Sequence, residues 1–272
     1  MLGPRGAAGH ALPVSSPFAS FQTQRHAADA GYGAIACDLR PLFARPSLRR
    51  WLADARGREA RVLDVGTGKG VLLRDLCAEL ERRGVGPLSV AGLDVVDAGA
   101  THAMHGAQGF TFHPQDAEQT PWPFAPGRFD LVLCHHVLEH VFATERLMRE
   151  IRRVVRPDGR VLVGVPNLAA WPNRLLLLAG IQPLGTELGE ESIAYGWPWA
   201  RARRRPAARR PAGHIRAFTP RGLRDLCGAT GFRACGWWNT DASRLLRLTR
   251  FAGRKIALLL EPAPVEAGTG RS

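Results

Sequence analysis

Apolar residues along the chain fall into short runs separated by amphipathic stretches. Five runs, at 61–65, 89–94, 110–113, 129–134 and 160–165, are rich in Val, Leu and Phe and read as strands. Between them, 69–83 and about 143–155 carry apolar residues at helical spacing with charges on the opposite face, and read as helices. Gly84 closes the first helix, and Pro157-Asp158-Gly159 makes a turn after the second. Strand alternating with helix at this rhythm predicts a doubly wound α/β sheet. Further on, 173–179 reads as an apolar helix. Phe218-Thr219-Pro220-Arg221 is a helix start, with Thr at the N-cap and Pro at the first helical position. That helix closes at 228–231, and 232–238 and 255–260 read as the sixth and seventh strands.

The flanks are different in kind. Residues 1–36 are rich in Gly, Ala, Ser and Pro and are predicted to be poorly ordered, as is a tail at 263–272. From 38 to 53 the apolar residues Leu39, Leu42, Phe43, Leu48, Trp51 and Leu52 predict a helical segment interrupted at Pro46. It would either cap the sheet or lie across its crevice. One domain is thus expected over 37–262, with a cap or lid insertion at about 167–217. Within that insertion, the loop 196–211 holds six arginines among tryptophans and prolines. It reads as a solvated substrate lid, as a phosphate- or base-binding surface, or as a contact with an anionic membrane. Leu245, Leu246, Leu248, Phe251 and Ala252, interleaved with Arg244, Arg247, Arg250 and Arg254, predict a cationic amphipathic helix that either lies on a bilayer or, the preferred reading, packs its apolar face on the sheet.

Composition narrows the class. An apolar share of 45% is enough for a globular core. The net charge is +13, and Lys69 and Lys255 are the only lysines, so arginine carries nearly all of it. That charge either draws anionic partners or reflects a bias toward Arg, Ala, Gly and Pro along the whole chain. Five cysteines (Cys37, Cys77, Cys134, Cys227, Cys235) show no Cys-x-x-Cys pair, which suggests reduced thiols in a cytoplasmic protein. No signal-peptide pattern is read at the N-terminus, and no run reaches the ~18 apolar residues of a membrane span.

The chemistry centres on Arg61-Val62-Leu63-Asp64-Val65-Gly66-Thr67-Gly68-Lys69-Gly70, a strand that ends in glycines at alternate positions before a helix. Glycine permits positive φ and the approach of a ligand to bare backbone. A phosphate-binding P-loop needs Gly five residues before the Gly-Lys pair and Ser or Thr after it; Leu63 and Gly70 stand there instead. The dinucleotide fingerprint wants Gly or Ala at its third position, which Val71 fills. The remaining pattern, Asp-x-Gly-x-Gly-x-Gly, resembles motif I of class I S-adenosylmethionine (SAM) methyltransferases. Asp94 at the end of the second strand is placed to accept hydrogen bonds from two ribose hydroxyls.

Further motifs follow in that family's order. Phe129 to Cys134 with His135-His136-Val137-Leu138-Glu139-His140 resembles motif IV and the Leu-Glu-His of ubiquinone-biosynthesis-type methyltransferases (methyltransferase types 11 and 23). Arg153-Val154-Val155-Arg156-Pro157-Asp158-Gly159-Arg160 is similar to its post-helix turn, with Asp158 in place of a Gly. Asn167 and His214-Ile215-Arg216-Ala217-Phe218-Thr219 also resemble a bacterial subgroup. The resemblance, over about 38–262, implies a Rossmann-like, seven-stranded, mostly parallel sheet with an antiparallel end at the sixth and seventh strands. It implies SAM as cofactor, bound by Asp64, Gly66, Gly68, Gly70, Asp94, Val95, Asp116, Ala117 and His135. Methyl transfer is an in-line displacement governed by alignment; for a hydroxyl acceptor a general base is expected, His135 or His136 first and His214 second. His136-x-x-Glu139-His140 resembles the Glu-x-x-Glu-His metal site of some methyltransferases, with His214 as a further ligand.

The function read from the sequence is O-methylation of a small-molecule, lipid-like or glycan-like acceptor rather than a nucleic acid, with peripheral membrane contact through the Arg-rich loop. Two alternatives stand beside it: a nicotinamide-dependent oxidoreductase, and an RNA- or membrane-binding protein that keeps a structural SAM site.

Overall fold

The computed structural model describes residues 39–104, 109–189, 192, 195–198, 212–239 and 253–264 of the chain. The predicted N-terminal segment 1–36, most of the loop 196–211, most of the cationic helix at 244–254 and most of the 263–272 tail lie outside the described residues.

Seven strands form one sheet in the order β3-β2-β1-β4-β5-β7-β6. β1 (Ala60–Val65), β2 (Leu88–Asp94), β3 (Phe110–Pro114), β4 (Phe129–His135) and β5 (Val155–Pro166) pair in parallel. β7 (Lys255–Pro262) pairs antiparallel with both β5 and β6 (Phe232–Asn239). The order reverses at β1, which pairs with β2 on one side and β4 on the other, so a crevice opens beyond the carboxyl ends of β1 and β4. The Rossmann-like seven-stranded expectation is met, including its antiparallel end.

Strand alternation sorts the core into two layers. Leu63 and Val65 of β1, Ala91 and Leu93 of β2, Val132 and Cys134 of β4, and Val161, Val163 and Val165 of β5 face one layer, completed by α5 (Thr144–Val154) and α7 (Pro220–Ala229). Val62, Val90, Leu131, Leu133 and Leu162 face the other, covered by α1 (Arg40–Phe43), α2 (Pro46–Ala55) and α3 (Val71–Arg82). Leu42, Phe43, Leu48, Trp51 and Leu52 are buried in this second layer, so the N-terminal helical segment caps the sheet face. Pro46 splits it as expected, standing at the start of α2, where its missing N–H costs nothing.

The same parity places Asp64, Gly92, Asp94, His135 and Gly164 on the α1–α3 side at the strand ends, where the apolar layer gives way to polar groups. His135 pairs with Gly164, and its imidazole fills the space that a Cβ at Gly164 would take. The turn expected at 157–159 is present as an outpouching of β5: Val155 pairs with Phe129 and Arg160 with Leu131, leaving four residues between. Two short helices were not legible in the sequence, α4 (Ala100–Ala103) and a 3₁₀ turn at Leu138–His140. Between α5 and α7 lies α6 (Trp171–Leu178), which starts two residues before the predicted position.

Buried charges brace the loops. Asp130 accepts from the Arg61 backbone N–H at 2.9 Å and from Arg58 at 3.0 Å, which ties β4 to the entry of β1. Glu150 of α5 accepts from the Trp122 N–H at 2.6 Å and pairs with Arg153, which itself donates to the Phe124 and Trp122 carbonyls. These bonds hold the 120–127 loop against the first core layer.

Gly164→Ala is expected to destabilise the fold by ~1–3 kcal/mol, because the new methyl overpacks against a fixed ring. In urea unfolding, the same substitution in a His135→Ala background should cost much less. An equal cost in both backgrounds would show that the ring is not what excludes the side chain.

Candidate active site

β1 delivers Asp64 and then the glycine turn. Gly66, Gly68 and Gly70 take φ of 71°, 54° and 69°, a region glycine enters without strain. Each glycine has its own reason. A Cβ at Gly66 would run into Val137, and one at Gly70 would lie 3.0 Å from the Ala100 Cα of α4, whereas Gly68 faces open space. The turn is closed by the Thr67 hydroxyl, which donates to the Asp64 carbonyl at 2.9 Å, and by the Gly66 N–H, which donates to the Leu93 carbonyl at 2.7 Å. Thr67 in turn occupies the space above Gly92 of β2. Asp97 holds α4 in place, its carboxylate accepting from the N–H groups of Gly99 and Thr101.

Asp94 stands across from this turn. One carboxylate oxygen accepts from the Gly68 N–H at 2.8 Å and the other from the Val95 N–H at 2.7 Å. The predicted ribose carboxylate therefore also fixes the tip of the glycine turn. Asp64 is buried, and no hydrogen bond to its carboxyl is made among the described residues. Burial first, and the Asp94 charge second, push Asp64 up to about 8. A buried carboxyl in this state suits a ligand that brings its own positive charge.

Asp116 and Ala117 follow β3. Asp116 accepts from the Glu118 N–H at 2.9 Å, and the Gln115 N–H donates to the Asp94 carbonyl at 2.8 Å, which sets Asp116 beside the Asp94 strand end. Glu118, which no sequence pattern singled out, accepts from the N–H groups of Phe142 and Ala143, both at 2.9 Å, at the start of α5. A carboxylate there suits the helix N-terminus. It also ties the loop after β3 to the histidines after β4.

Those histidines differ sharply from one another. His135 is buried against Gly164 with its Nε2 unpartnered, and burial, followed by the His136 charge, pushes it down to about 3. Its imidazole is neutral at any working pH. His136 turns away from the strand with φ of 60°, which is strained for a non-glycine residue. Its Nδ1 lies 2.7 Å from the Glu139 carboxylate, while its Nε2 is buried without a partner among the described residues. Glu139 is buried as well. Burial opposes its charge, but the hydrogen bond from His136 and the proximity of His140 and His214 hold it below the usual range, so it is ionised.

The 3₁₀ turn carries Glu139 and His140 towards the segment before α7. The Ile215 and Arg216 N–H groups donate to the Glu139 carbonyl at 2.8 and 3.0 Å, and the His140 and His214 rings lie 4.9 Å apart. The His140 Nδ1 is 3.1 Å from the Gly213 carbonyl and the His214 Nδ1 is 3.0 Å from the Gly185 carbonyl. A carbonyl oxygen only accepts, so each Nδ1 carries a proton. Ligating atoms of Glu139, His140 and His214 fall within 4.8 Å of one another, and the Glu139 Oε2 has no partner among the described residues. Two imidazoles and a carboxylate, each with an outer hydrogen bond, fit a divalent cation. His136 of the predicted metal set is turned to Glu139 instead, and His214 joins in its place.

A methyltransferase domain family model matches residues 40–235. Ubiquinone biosynthesis O-methyltransferase of Pseudomonas paraeruginosa is 31% identical over 136 residues, which cover 48% of this chain and 55% of that protein. The same-named protein of Aeromonas salmonicida is 30% identical over 123 residues, 43% of this chain and 48% of that protein. The match thus spans about half the length of these curated relatives. Among solved structures, the 1,6-didemethyltoxoflavin-N1-methyltransferase of Burkholderia thailandensis, with bound S-adenosylhomocysteine, has a TM-score of 0.50 at 18% identity, covering 93% of this chain and 92% of that one. An S-adenosylmethionine-dependent methyltransferase from Mesorhizobium loti also scores 0.50, at 17% identity, covering 79% of this chain and 95% of that one. With the family model spanning most of the chain and a glycine turn that departs from both the phosphate and the dinucleotide patterns, this chain belongs to the class I, SAM-dependent methyltransferases.

Proposed function

We propose that this enzyme methylates a hydroxyl oxygen of a small, lipid-like or glycan-like acceptor, with His136 as general base and Glu139 as the group that orients it. The observation that carries this reading is the His136–Glu139 pair at 2.7 Å beyond β4, with the His136 Nε2 left unpartnered. A base held by a buried carboxylate through one ring nitrogen, with the other free, is the arrangement that general-base chemistry requires. The curated relatives that the chain resembles are named as O-methyltransferases, which supports an oxygen acceptor.

Bound SAM supplies an electrophilic methyl group on a sulfonium sulfur. Asp94 and the Gly68 turn take the ribose and the amino-acid portion, and Asp116 and Ala117 take the adenine. Asp64 faces the ligand ammonium. His135, neutral and fixed, forms the floor between this crevice and the acceptor. His136 Nε2 takes the hydroxyl proton of the acceptor, and Glu139 stabilises the resulting imidazolium. Phe142 and Ile215, both exposed beside the histidines, flank the acceptor mouth. The rest of the rate comes from alignment of the reacting atoms.

A second reading gives Glu139, His140 and His214 a divalent cation at the acceptor mouth, supported by ligating atoms that lie within 4.8 Å of one another and by the Glu139 Oε2, which has no partner among the described residues. Here the three residues would hold the ion, and the ion would make a hydroxyl beside it more acidic.

His136→Gln should lower kcat by ~10²-fold or more, within the range of a lost general base, while S-adenosylhomocysteine binds as before. A mass-spectrometric screen across phenolic, glycan and lipid hydroxyls reads this out, and an unchanged kcat on the best acceptor would remove His136 from the role. For the cation, a zinc or magnesium titration of the chelator-treated enzyme should show a binding isotherm that His214→Ala abolishes. Full activity after chelation, with no isotherm, would discard the second reading. The Asp64 carboxyl gives a pH prediction. It binds its proton more tightly in the empty fold, up to about 8, than its ordinary 3.8 allows. A ligand ammonium favours the charged form, so binding at neutral pH should release a proton and tighten as pH rises towards 8, at most about tenfold per unit. Calorimetry with S-adenosylhomocysteine in buffers of different ionisation heat should detect that proton, and Asp64→Asn should abolish it. By the same linkage, the wild-type empty fold loses stability as pH rises from 3.8 to about 8, so the advantage of Asp64→Asn should grow over that window.

A further inference from the structure

The helix α6 is built inside out. Its one fully buried residue is polar: Asn173, 2% exposed, donates to the Asn167 and Leu184 carbonyls at 3.2 and 3.1 Å and accepts from the Leu184 N–H at 2.8 Å. Its large apolar residues face outward, with Trp171 51%, Leu175 61%, Leu177 55% and Leu178 85% exposed. An ordinary surface helix does the reverse. Together these side chains expose on the order of 400 Å² of apolar surface, the size at which a patch on a soluble protein marks a contact. Packing alone would have favoured polar residues there, and the two-sided Asn173 clasp shows that the helix is held in this orientation by its backbone neighbours.

The patch carries a cation of its own. Arg174 lies on the helix itself, donating to the Ala169 carbonyl at 2.9 Å with its guanidinium 5.3 Å from the Trp171 ring. In the sequence beyond, residues 192–224 contain nine arginines and no acidic residue. Leucines with a tryptophan at one end and an arginine on the same helix, in a chain of net charge +13, match the layered chemistry of a bilayer surface: acyl chains, then an amphipathic boundary, then anionic headgroups. We propose that α6 is a docking face for an anionic lipid bilayer, its leucines entering the headgroup–acyl boundary and arginine meeting the lipid phosphates. A second copy of the chain fits less well, since a patch of this size falls short of the ~800 Å² per partner that a stable dimer buries. Single-stranded nucleic acid would stack on aromatic faces and gains little from leucine.

The patch also communicates with the acceptor site. Leu184 is held by Asn173, and the next residue, Gly185, meets His214 through its carbonyl at 3.0 Å. Glu187 then accepts from the N–H groups of Ala212, Gly213 and His214. A docked helix therefore brings the histidine mouth to the lipid surface, where an acceptor dissolved in the bilayer would enter. This last step alone rests on the proposed function.

Flotation of the full chain with vesicles tests the inference. The protein should float with vesicles of phosphatidylcholine and phosphatidylglycerol mixed one to one, and not with phosphatidylcholine alone. The combined substitution Leu175→Ser, Leu177→Ser and Leu178→Ser should weaken that binding by about tenfold or more, with S-adenosylhomocysteine affinity unchanged. Leu178→Ser alone, at the most exposed position, should give a smaller loss in the same direction. Equal binding by wild type and both variants would mean that charge alone attracts the protein, and would overturn the proposal. So would an absence of flotation, whether accompanied by leucine-dependent self-association, by RNA binding, or by neither. Vesicle binding without methyl transfer to any hydroxyl would leave the docking face standing and sink the functional reading instead.

Discussion

Parallel pairing of β1 between β2 and β4 is the constraint on which the remaining geometry depends. Because side chains alternate along a strand, that register alone decides that Asp64, Asp94 and His135 share one side of the sheet at its carboxyl end. A slip of β1 by one residue would turn Asp64 into the apolar layer on the other side and set a β1 valine or leucine beside Asp94 and His135 instead. The register is locked from both ends. Asp130 ties the start of β1 to β4, and Asp94 ties the glycine turn after β1 to β2. Charge-assisted bonds of this kind are short and directional, which makes them effective register pins.

The site and the protein carry opposite electrostatic signs. The chain as a whole is strongly cationic, yet the crevice holds two carboxylates, one of them buried and without a counter-charge of its own. That local concentration lets a cationic ligand settle in a molecule whose overall field would repel it. The distant field is then free to act elsewhere, on anionic surfaces.

The boundary between the two halves of the site is strained. His136 holds a left-handed backbone conformation at a cost of roughly 1–3 kcal/mol, offset by its N–H donating to the Gly164 carbonyl at 2.8 Å and by its ring bonded to Glu139. That conformation lets consecutive histidines leave β4 in different directions, with rings at 76° to each other. One is buried against Gly164 in the sheet and the other turns to Glu139. Strain of this sort persists only where neighbouring contacts fix the residue more strongly than the backbone resists, and Gly164 with Glu139 supply those contacts.

Much of this was legible along the chain because it is local. Alternating runs of apolar residues gave the seven strands to within a residue or two, except where the β5 outpouching extends that strand. Thr219 and Pro220 fixed the start of α7, and the glycine spacing after β1 excluded a phosphate-binding loop and weighed against a dinucleotide without any structure. What the sequence could not contain were meetings between distant residues. Glu118 capping α5, Asp97 holding α4 against Gly70, and Glu187 gathering the 212–214 backbone leave no periodic trace, since each is a single charged residue in a loop. The two adjacent histidines are equivalent in the sequence; only Gly164 across the strand pair, and Glu139 three residues on, make one a buried wall and the other a held base. Likewise 173–179 read simply as an apolar helix, because a sequence reports that a face is apolar and not which way it points. Its direction was decided by Asn173, whose hydrogen bonds to residues 167 and 184 form only once the chain has folded back on itself.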